Sequence, residues 1–274
     1  MLIDTHCHLN FKAFRDDVDQ VVQKAKKAGV GKMIVVGVDL KTSQRAIKLA
    51  QKYKSLYASV GIHPHHVSSL THDAAQHHDK LMKKLTVLAK NQKVVAIGET
   101  GLGYYIYKNS KYGQIKLTEK IKNRQKIFFN LHLDLAKQLN LPLIIHCRQA
   151  FDDLLEILNV KTKLLKLEGV LHCFEGKIPH LFQALDLGFK VGFDGNITYP
   201  SRNDLKSLIK ITPIEKILLE TDSPFLTPEP FRGKRNEPKN IKIIAQKIAH
   251  LKNISSEEVA KKTTANADFL FKLS

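Results

Sequence analysis

The segment L-I-D-T-H-C-H at Leu2–His8 opens the chain with an apolar run that ends in two imidazoles. Four later runs follow the same plan, because each ends on a side chain that can bind a metal ion. They are V-V-A-I-G-E ending at Glu99, L-I-I-H at His146, G-V-L-H at His172 and I-L-L-E-T-D at Asp222. A parallel barrel presents the carboxyl ends of all its strands on one face, so we expect these side chains to converge there.

Apolar, β-branched runs alternate with amphipathic segments throughout the chain, and such runs are typical of parallel strands buried on both faces. The eight predicted strands are Leu2–His6, Met33–Val38, Tyr57–Ile62, Val94–Gly98, Pro142–His146, Val170–Cys173, Phe189–Phe193 and Ile217–Thr221. Helical periodicity lies between them, as at Val18–Ala28 and Phe128–Leu139. This alternation predicts an α/β protein with a TIM (β/α)8 barrel, and an open doubly wound sheet is the second possibility. No long linker or repeat interrupts it, so residues 1–274 are predicted to form a single domain.

The composition suggests an environment and a class of partner. A formal net charge of +18 favours polyanionic partners, nucleic acid above all, although lysines spread over solvated helix faces would give the same excess. No run approaches the roughly 18 apolar residues of a membrane span, and the first residues lead directly into a strand. The three cysteines are odd in number and form no C-x-x-C pair. We therefore expect a cytoplasmic protein without disulfides, membrane contact or an obligate protein partner.

The spacing of the candidate ligands suggests how they would be shared. His6 and His8 are two residues apart, so both project from the same side of the first strand and can bind one cation. Glu99 can bridge two cations through its two oxygens, and His146 and His172 suit the second one. Asp222 follows the eighth strand, which neighbours the first in a closed barrel. A buried acid without a partner is costly, so a metal site explains Glu99 and Asp222 better than a purely structural role.

Several motifs resemble the TatD family of metal-dependent deoxyribonucleases, within the amidohydrolase superfamily, over essentially the whole chain. They are D-T-H-C-H at Asp4–His8, V-G-I-H-P-H at Val60–His65, A-I-G-E-T-G-L at Ala96–Leu102, I-H-C-R-Q-A at Ile145–Ala150, G-V-L-H-C-F at Gly169–Phe174, L-E-T-D-S-P-F-L at Leu219–Leu226 and R-G-K-R-N-E-P at Arg232–Pro238. The resemblance implies two divalent cations. One would be held by His6, His8, Glu99 and Asp222, and the other by Glu99, His146 and His172.

The chain departs from the family pattern at a few positions. Gly103 replaces an acid that the family usually carries after the fourth strand, and Asn130 and His132 alter a helix motif that often carries glutamine. The native ion stays open between Mg²⁺, Mn²⁺ and Zn²⁺. Imidazole-rich ligation suits zinc or manganese, whereas the family is often regarded as magnesium-dependent.

A phosphodiesterase mechanism assigns roles to the ligands and their neighbours. Glu99 would be catalytic as the bridging ligand, and Asp222 would accept a proton from the attacking water as general base. Cationic donors should surround the transferred charge. The candidate substrate contacts are Arg148, which is two residues past His146, His63 at the third strand, Arg232 with Lys234 and Arg235 after the eighth strand, and Tyr104 with Tyr105 and Tyr107 as stacking surfaces.

Three functions compete at this stage. The first is a metal-dependent 3′–5′ exonuclease that acts on single-stranded or frayed DNA. The second is an amidohydrolase-type hydrolase of a small ester or amide, or of an aminoacyl ester on tRNA. Many such enzymes use a carboxylated lysine as the bridge, and Glu99 in that place disfavours them. The third is a basic nucleic-acid-binding scaffold with structural metals, which six ligands with open positions do not fit.

Overall fold

Eight parallel strands form one sheet in the sequential order β1 to β8. The computed structural model describes residues 1–68, 75–105 and 117–273, with the side chains of residues 75–77 excepted. The strands are β1 Leu2–Cys7, β2 Val30–Val36, β3 Leu56–Val60, β4 Val94–Gly103, β5 Leu143–Arg148, β6 Gly169–Leu171, β7 Lys190–Phe193 and β8 Ile217–Leu219.

Helices follow the strands and surround the sheet. They are α1 Val18–Lys27, α2 Leu40–Lys52, α3 Pro64–Ser68, α4 Ala75–Ala89, α5 Glu119–Leu139, α6 Phe151–Leu165, α7 Ile178–Asp186, α8 Asn203–Ile211, α9 Ile241–Lys252 and α10 Ser256–Phe271. Short 3₁₀ helices cover Lys12–Phe14, Gly195–Thr198, Ile214–Lys216 and Pro238–Asn240. The predicted TIM barrel is therefore confirmed. Among the described residues, no helix is both long and apolar enough to cross a membrane.

The barrel closes where β8 meets β1. The Thr5 hydroxyl donates to the carbonyl of Leu219 at 3.0 Å. Beyond the end of β8, the Asp222 amide donates to the carbonyl of His6 at 2.8 Å, and the His8 amide donates to Ser223 at 2.7 Å. These bonds continue the pairing past the last regular strand, so the Asp222 segment lies directly beside the His6–His8 segment.

Most strand ends differ from the sequence prediction by one or two residues, and two of the differences affect the site. β4 runs five residues beyond the predicted end, because its residues up to Gly103 pair with β5 as far as Arg148. β8 instead ends at Leu219, before the predicted end. Asp222 then adopts a left-handed conformation, with φ of 49°. Its direction therefore follows from this turn and not from the alternation of a strand.

Apolar side chains pack on both sides of the sheet. The larger cluster lies between strands and helices, with Phe128 and Phe129 of α5 fully buried in it. A second cluster joins Ile34 and Ile144 of the strands to Leu270 and Phe271 of α10. Residues of α10 therefore form part of the apolar interior of the barrel.

Gly61 shows how closely β3 and β4 approach each other at that polar end. A Cβ atom at Gly61 would lie 2.5 Å from the carbonyl carbon of Gly98 and 2.7 Å from the amide nitrogen of Glu99. Backbone atoms cannot move aside as a flexible side chain can. The absence of a side chain at residue 61 therefore permits the position of Glu99.

We expect Gly61→Ala to destabilise the protein, because the new methyl group meets backbone atoms. Overpacking of this kind costs about 1–3 kcal/mol in the free energy of unfolding. Chemical denaturation measures the loss. Gly103→Ala is the matched control, since its Cβ would meet its nearest neighbours at 3.5–3.6 Å, which is ordinary contact. Equal stability of the Gly61→Ala variant and the wild type would contradict the expectation.

Candidate metal centre at the barrel mouth

The two histidines of the first strand direct their Nε2 atoms to the same point. These atoms lie 3.2 Å apart, and both side chains are buried. The Nδ1 atom of His8 lies 3.1 Å from the carbonyl of Val36, which can only accept a hydrogen bond. His8 therefore carries its proton on Nδ1 when it is neutral, and its Nε2 lone pair is free to bind a cation.

Glu99 lies at the centre of the site, and its two carboxylate oxygens face different sets of imidazoles. Its Oε1 atom lies 2.9 Å from Nε2 of His172 and 3.0 Å from Nδ1 of His146. Its Oε2 atom lies 3.6 Å from Nε2 of His6 and 3.8 Å from Nε2 of His8. This is the arrangement expected of a carboxylate that bridges two cations.

Asp222 completes the side of the site that β1 forms. Its Oδ1 atom lies 3.3 Å from Nε2 of His8 and 3.7 Å from Nε2 of His6. The structure therefore brings together all six ligands expected from the sequence, which are His6, His8, Glu99, His146, His172 and Asp222.

His63 also reaches this cluster, with its Nε2 atom 3.3 Å from Oε1 of Glu99. Among the described residues, three groups of donor atoms lie within 4.8 Å of one another. They are His6, His8 and Asp222; His6, Glu99 and His172; and His63, Glu99 and His146. The sequence interpretation assigned His63 to substrate, whereas the geometry puts it among the possible ligands as well.

Three of the donors, Glu99, Asp222 and His6, suit divalent cations in their protonation states as well as in their positions. Burial raises the pKa of Glu99, but facing histidines, His63 and His172 foremost, outweigh burial and hold it well below its usual range. Burial also raises the pKa of Asp222, but the hydrogen bond with His8 and the charges of nearby histidines outweigh burial, so this pKa is lowered as well. Burial lowers the pKa of His6 to about 4. Ionised carboxylates and neutral imidazoles are the forms that bind metal.

His172 differs from His6, because it faces two carboxylates. Burial alone would lower the pKa of His172. The negative charge of Glu99 outweighs burial and raises this pKa to about 10. Glu220 stands on the other side of the ring, with its Oε2 atom 3.9 Å from Nδ1 of His172. A cation that binds Nε2 of His172 must therefore displace a proton from this imidazole.

Two buried acids behind the ligands were not assigned from the sequence. Asp4 accepts hydrogen bonds from the amide and the hydroxyl of Thr221, at 2.9 and 2.6 Å, and so fixes the chain just before Asp222. Glu220 accepts from the amide of Cys173 at 2.9 Å. Each lies two residues before an expected ligand, His6 or Asp222, and this spacing is the signal that the sequence offers.

The altered helix motif supports the site from α5. Nε2 of His132 accepts a hydrogen bond from the amide of Ile62 at 3.1 Å, and its Nδ1 donates to the carbonyl of Phe128 at 2.6 Å. His132 thereby holds the backbone next to His63. The position of Gly103 faces His146, because a Cβ there would lie 3.5 Å from Nε2 of that ring.

The expected substrate contacts lie on two sides of the centre. The Arg148 guanidinium stacks on the Tyr105 ring at 4.5 Å, and the Arg232 guanidinium stacks on the Tyr199 ring at 4.3 Å. The Tyr104 hydroxyl donates to Asp153 at 2.6 Å. Tyr107 lies outside the described residues.

Arg235, which the sequence suggests as a contact to the DNA backbone, is paired within the protein. Its guanidinium forms an ion pair with Asp17 at 2.6 Å and donates to the carbonyl of Ala13 at 2.6 Å. The same motif contributes Asn236, which is fully buried and donates to the carbonyls of Thr221 and Phe225. Asn236 therefore holds the turn that carries Asp222.

Comparisons with known proteins agree with this geometry. The family model described as TatD related DNase matches residues 3–272. An uncharacterized metal-dependent hydrolase of Bacillus subtilis, YabD, is 37% identical and is matched over 100% of both chains. A 3′-5′ ssDNA/RNA exonuclease TatD of Erwinia amylovora is 34% identical, with 99% of this chain and 100% of that protein covered.

A solved structure is similar as well. The crystal structure of YjjV, a TatD homologue from Escherichia coli K12, has a TM-score of 0.87 and 31% identity, and covers 100% of this chain and 98% of that one. The chain belongs to the TatD family. It is a metal-dependent hydrolase of that family, and the donor groups at its barrel mouth are candidate sites for the metal.

We expect Glu99→Gln to lose divalent cations, because Glu99 is the only carboxylate in the described part of the chain that faces both sets of imidazoles. Metal affinity should fall by more than about 100-fold, since the loss of an outer partner alone costs about 10–100-fold. Calorimetric titration with Mn²⁺ measures the affinity. Glu156→Gln, at an exposed position on α6, is the control and should bind like the wild type. Unchanged affinity in Glu99→Gln would contradict the expected role of Glu99.

Proposed function

We propose that this chain is a metal-dependent exonuclease that removes nucleotides from single-stranded or frayed DNA ends in the 3′ to 5′ direction. The observation that carries the proposal is the convergence of six metal donors with Glu99 between them. The polarity and the single-stranded substrate rest on the relative from Erwinia amylovora, which is named a 3′-5′ ssDNA/RNA exonuclease.

Two divalent cations, Mg²⁺, Mn²⁺ or Zn²⁺, would fit the donors. His6, His8, Glu99 and Asp222 would hold one cation, and Glu99, His146 and His172 would hold the other. When bound, such cations lower the pKa of a water and neutralise developing charge on a phosphodiester. The mixture of imidazole and carboxylate ligands suits all three ions in different degrees.

The protein's own groups would move the proton and hold the phosphate. Asp222 is ionised at neutral pH, because its pKa is lowered, so it can accept a proton from the attacking water. Its side chain is 14% exposed, so the carboxylate can reach solvent. Arg148 at the end of β5 and Arg232 in the segment after β8 supply planar guanidinium groups that would clamp phosphate oxygens.

Three further features support the proposal. Burial lowers the pKa of His63 to about 3, so its neutral ring can bind a cation or position water or phosphate. Tyr104 would form part of the wall for the strand. The net charge of +18 would attract a polyanion. The proposal assigns the reaction to the cytoplasm, which the three free cysteines suit, without a membrane or an obligate protein partner.

Asp222→Asn should reduce degradation of single-stranded DNA by at least about 100-fold, because the amide cannot accept the proton. The assay is a digest of 3′- and 5′-labelled oligonucleotides in Mn²⁺ or Mg²⁺. Asp134→Asn, at a half-exposed carboxylate on α5, is the control and should retain full activity.

Two results would contradict the proposal. One is DNA left intact by the metal-supplemented wild type. The other is wild-type activity in Asp222→Asn. Hydrolysis of small chromogenic esters faster than of DNA would instead favour the amidohydrolase-type alternative.

Arg148→Lys tests the phosphate clamp, because lysine keeps the charge but loses the planar pair of donors. We expect kcat/KM on single-stranded DNA to fall about 10- to 100-fold, with a larger loss in Arg148→Ala. Arg45→Lys, at a partly exposed position on α2, should behave like the wild type. If Arg148→Ala retains the wild-type kcat/KM, Arg148 does not bind the phosphate.

A further inference from the structure

A cavity of about 540 Å³ opens beside the metal centre, between the segments that follow β5 and β6. Its lining includes Tyr104, Tyr105, Arg148, Gln149, Phe151 and His180. This volume lies within the range of about 300–1,000 Å³ that small-molecule sites occupy. None of the six expected metal ligands lines it.

Arg148 connects the cavity to the centre. It lies two residues beyond His146 on β5, and it also lines the cavity. Its guanidinium is 4.5 Å from the ring centroid of Tyr105, so Tyr105 lies next to the group expected to bind phosphate. If Arg148 binds the phosphate of a ligand at the metal centre, the group attached to that phosphate would lie in the cavity.

The three carboxylates of the cavity are paired within the protein. Asp152 contacts His180 at 3.1 Å, and Glu175 contacts Arg202 at 2.6 Å. Asp153 accepts from the Tyr104 hydroxyl and contacts Lys126 at 2.8 Å. The lining carries three carboxylates against the two cations of Arg148 and Lys177, so the cavity suits a neutral polar group better than a second phosphate.

Aromatic rings form its walls. Phe151 and His180 stack in parallel, with ring centroids 5.1 Å apart and planes 6° apart. Gly176 lies against these rings, because a Cβ at this residue would lie 2.6 Å from Cζ of Phe174 and 3.1 Å from Cε1 of Phe151. Tyr105 is half-buried and faces the same space. Flat, sequence-tolerant surfaces of this kind bind nucleobases by stacking.

We propose that this cavity binds the base and sugar of the terminal nucleotide. The bond that is hydrolysed joins the 5′-phosphate of this nucleotide to the 3′-oxygen of the preceding one. This inference rests on the proposed nuclease function and adds the position of the nucleoside that leaves. One unpaired nucleoside enters the cavity, so a base-paired end must open before its terminal nucleotide can be removed. Because stacking dominates and hydrogen-bond readout does not, all four bases are accepted.

The test compares product-like ligands with and without a base. Mn²⁺-loaded protein is titrated calorimetrically with dAMP and with 2-deoxyribose 5-phosphate, which lacks the base. We expect dAMP to bind about 10-fold more tightly, as base stacking on an aromatic ring predicts. The ratio should fall below about 3-fold in Tyr105→Ala and persist in Tyr105→Phe, which keeps the ring. Phe269→Ala removes an exposed aromatic ring on α10 and should keep the full ratio.

The outcomes separate this inference from the nuclease proposal. Equal binding of the two ligands by the wild type, or an unchanged ratio in Tyr105→Ala, overturns the nucleoside cavity. Degradation of single-stranded DNA is measured in parallel on the same preparations. DNA degradation without a base preference refutes the cavity alone. A base preference that disappears in Tyr105→Ala supports the cavity, and if DNA then stays intact, only the nuclease proposal fails.

Discussion

A buried carboxylate surrounded by imidazoles is the constraint on which the rest of the structure depends. Glu99 is 3% exposed and has five histidine rings within 3.8 Å of its two oxygens. An acid in such a place is costly unless cations or protons neutralise it. The close approach of β3 and β4 at Gly61 and the extension of β4 to Gly103 both serve to hold this carboxylate at the barrel mouth.

Closure of the barrel is the second condition for the site. Thr221 donates twice to Asp4, which ties the turn after β8 to β1, and Asn236 donates to the carbonyl of Thr221 from the later segment of the chain. This turn brings Asp222 to His8. This polar network thus orients Asp222, the proposed general base. Asp4 and Asn236 are not themselves among the expected metal ligands.

The surroundings of the centre divide into two sides with different chemistry. On the β5 and β6 side, Arg148 leads into a cavity of aromatic walls and paired charges. On the β7 and β8 side, Arg232 stacks on Tyr199, and Phe225 and Phe231 are about half exposed. A strand that passes over the metals would meet a nucleoside-sized cavity on one side and an open aromatic and basic surface on the other.

The sequence by itself determined the barrel and indicated the candidate ligands. Five of the eight apolar runs ended on a side chain that can bind metal, and parallel strands must present those ends together. Tertiary structure alone decided which donors meet. His63 joins His146 and Glu99, and Arg235 is paired with Asp17. The register between β4 and β5 brings Glu99 and His146 together, and the left-handed turn at Asp222 directs that carboxylate. Neither feature is encoded by the periodicity of one segment.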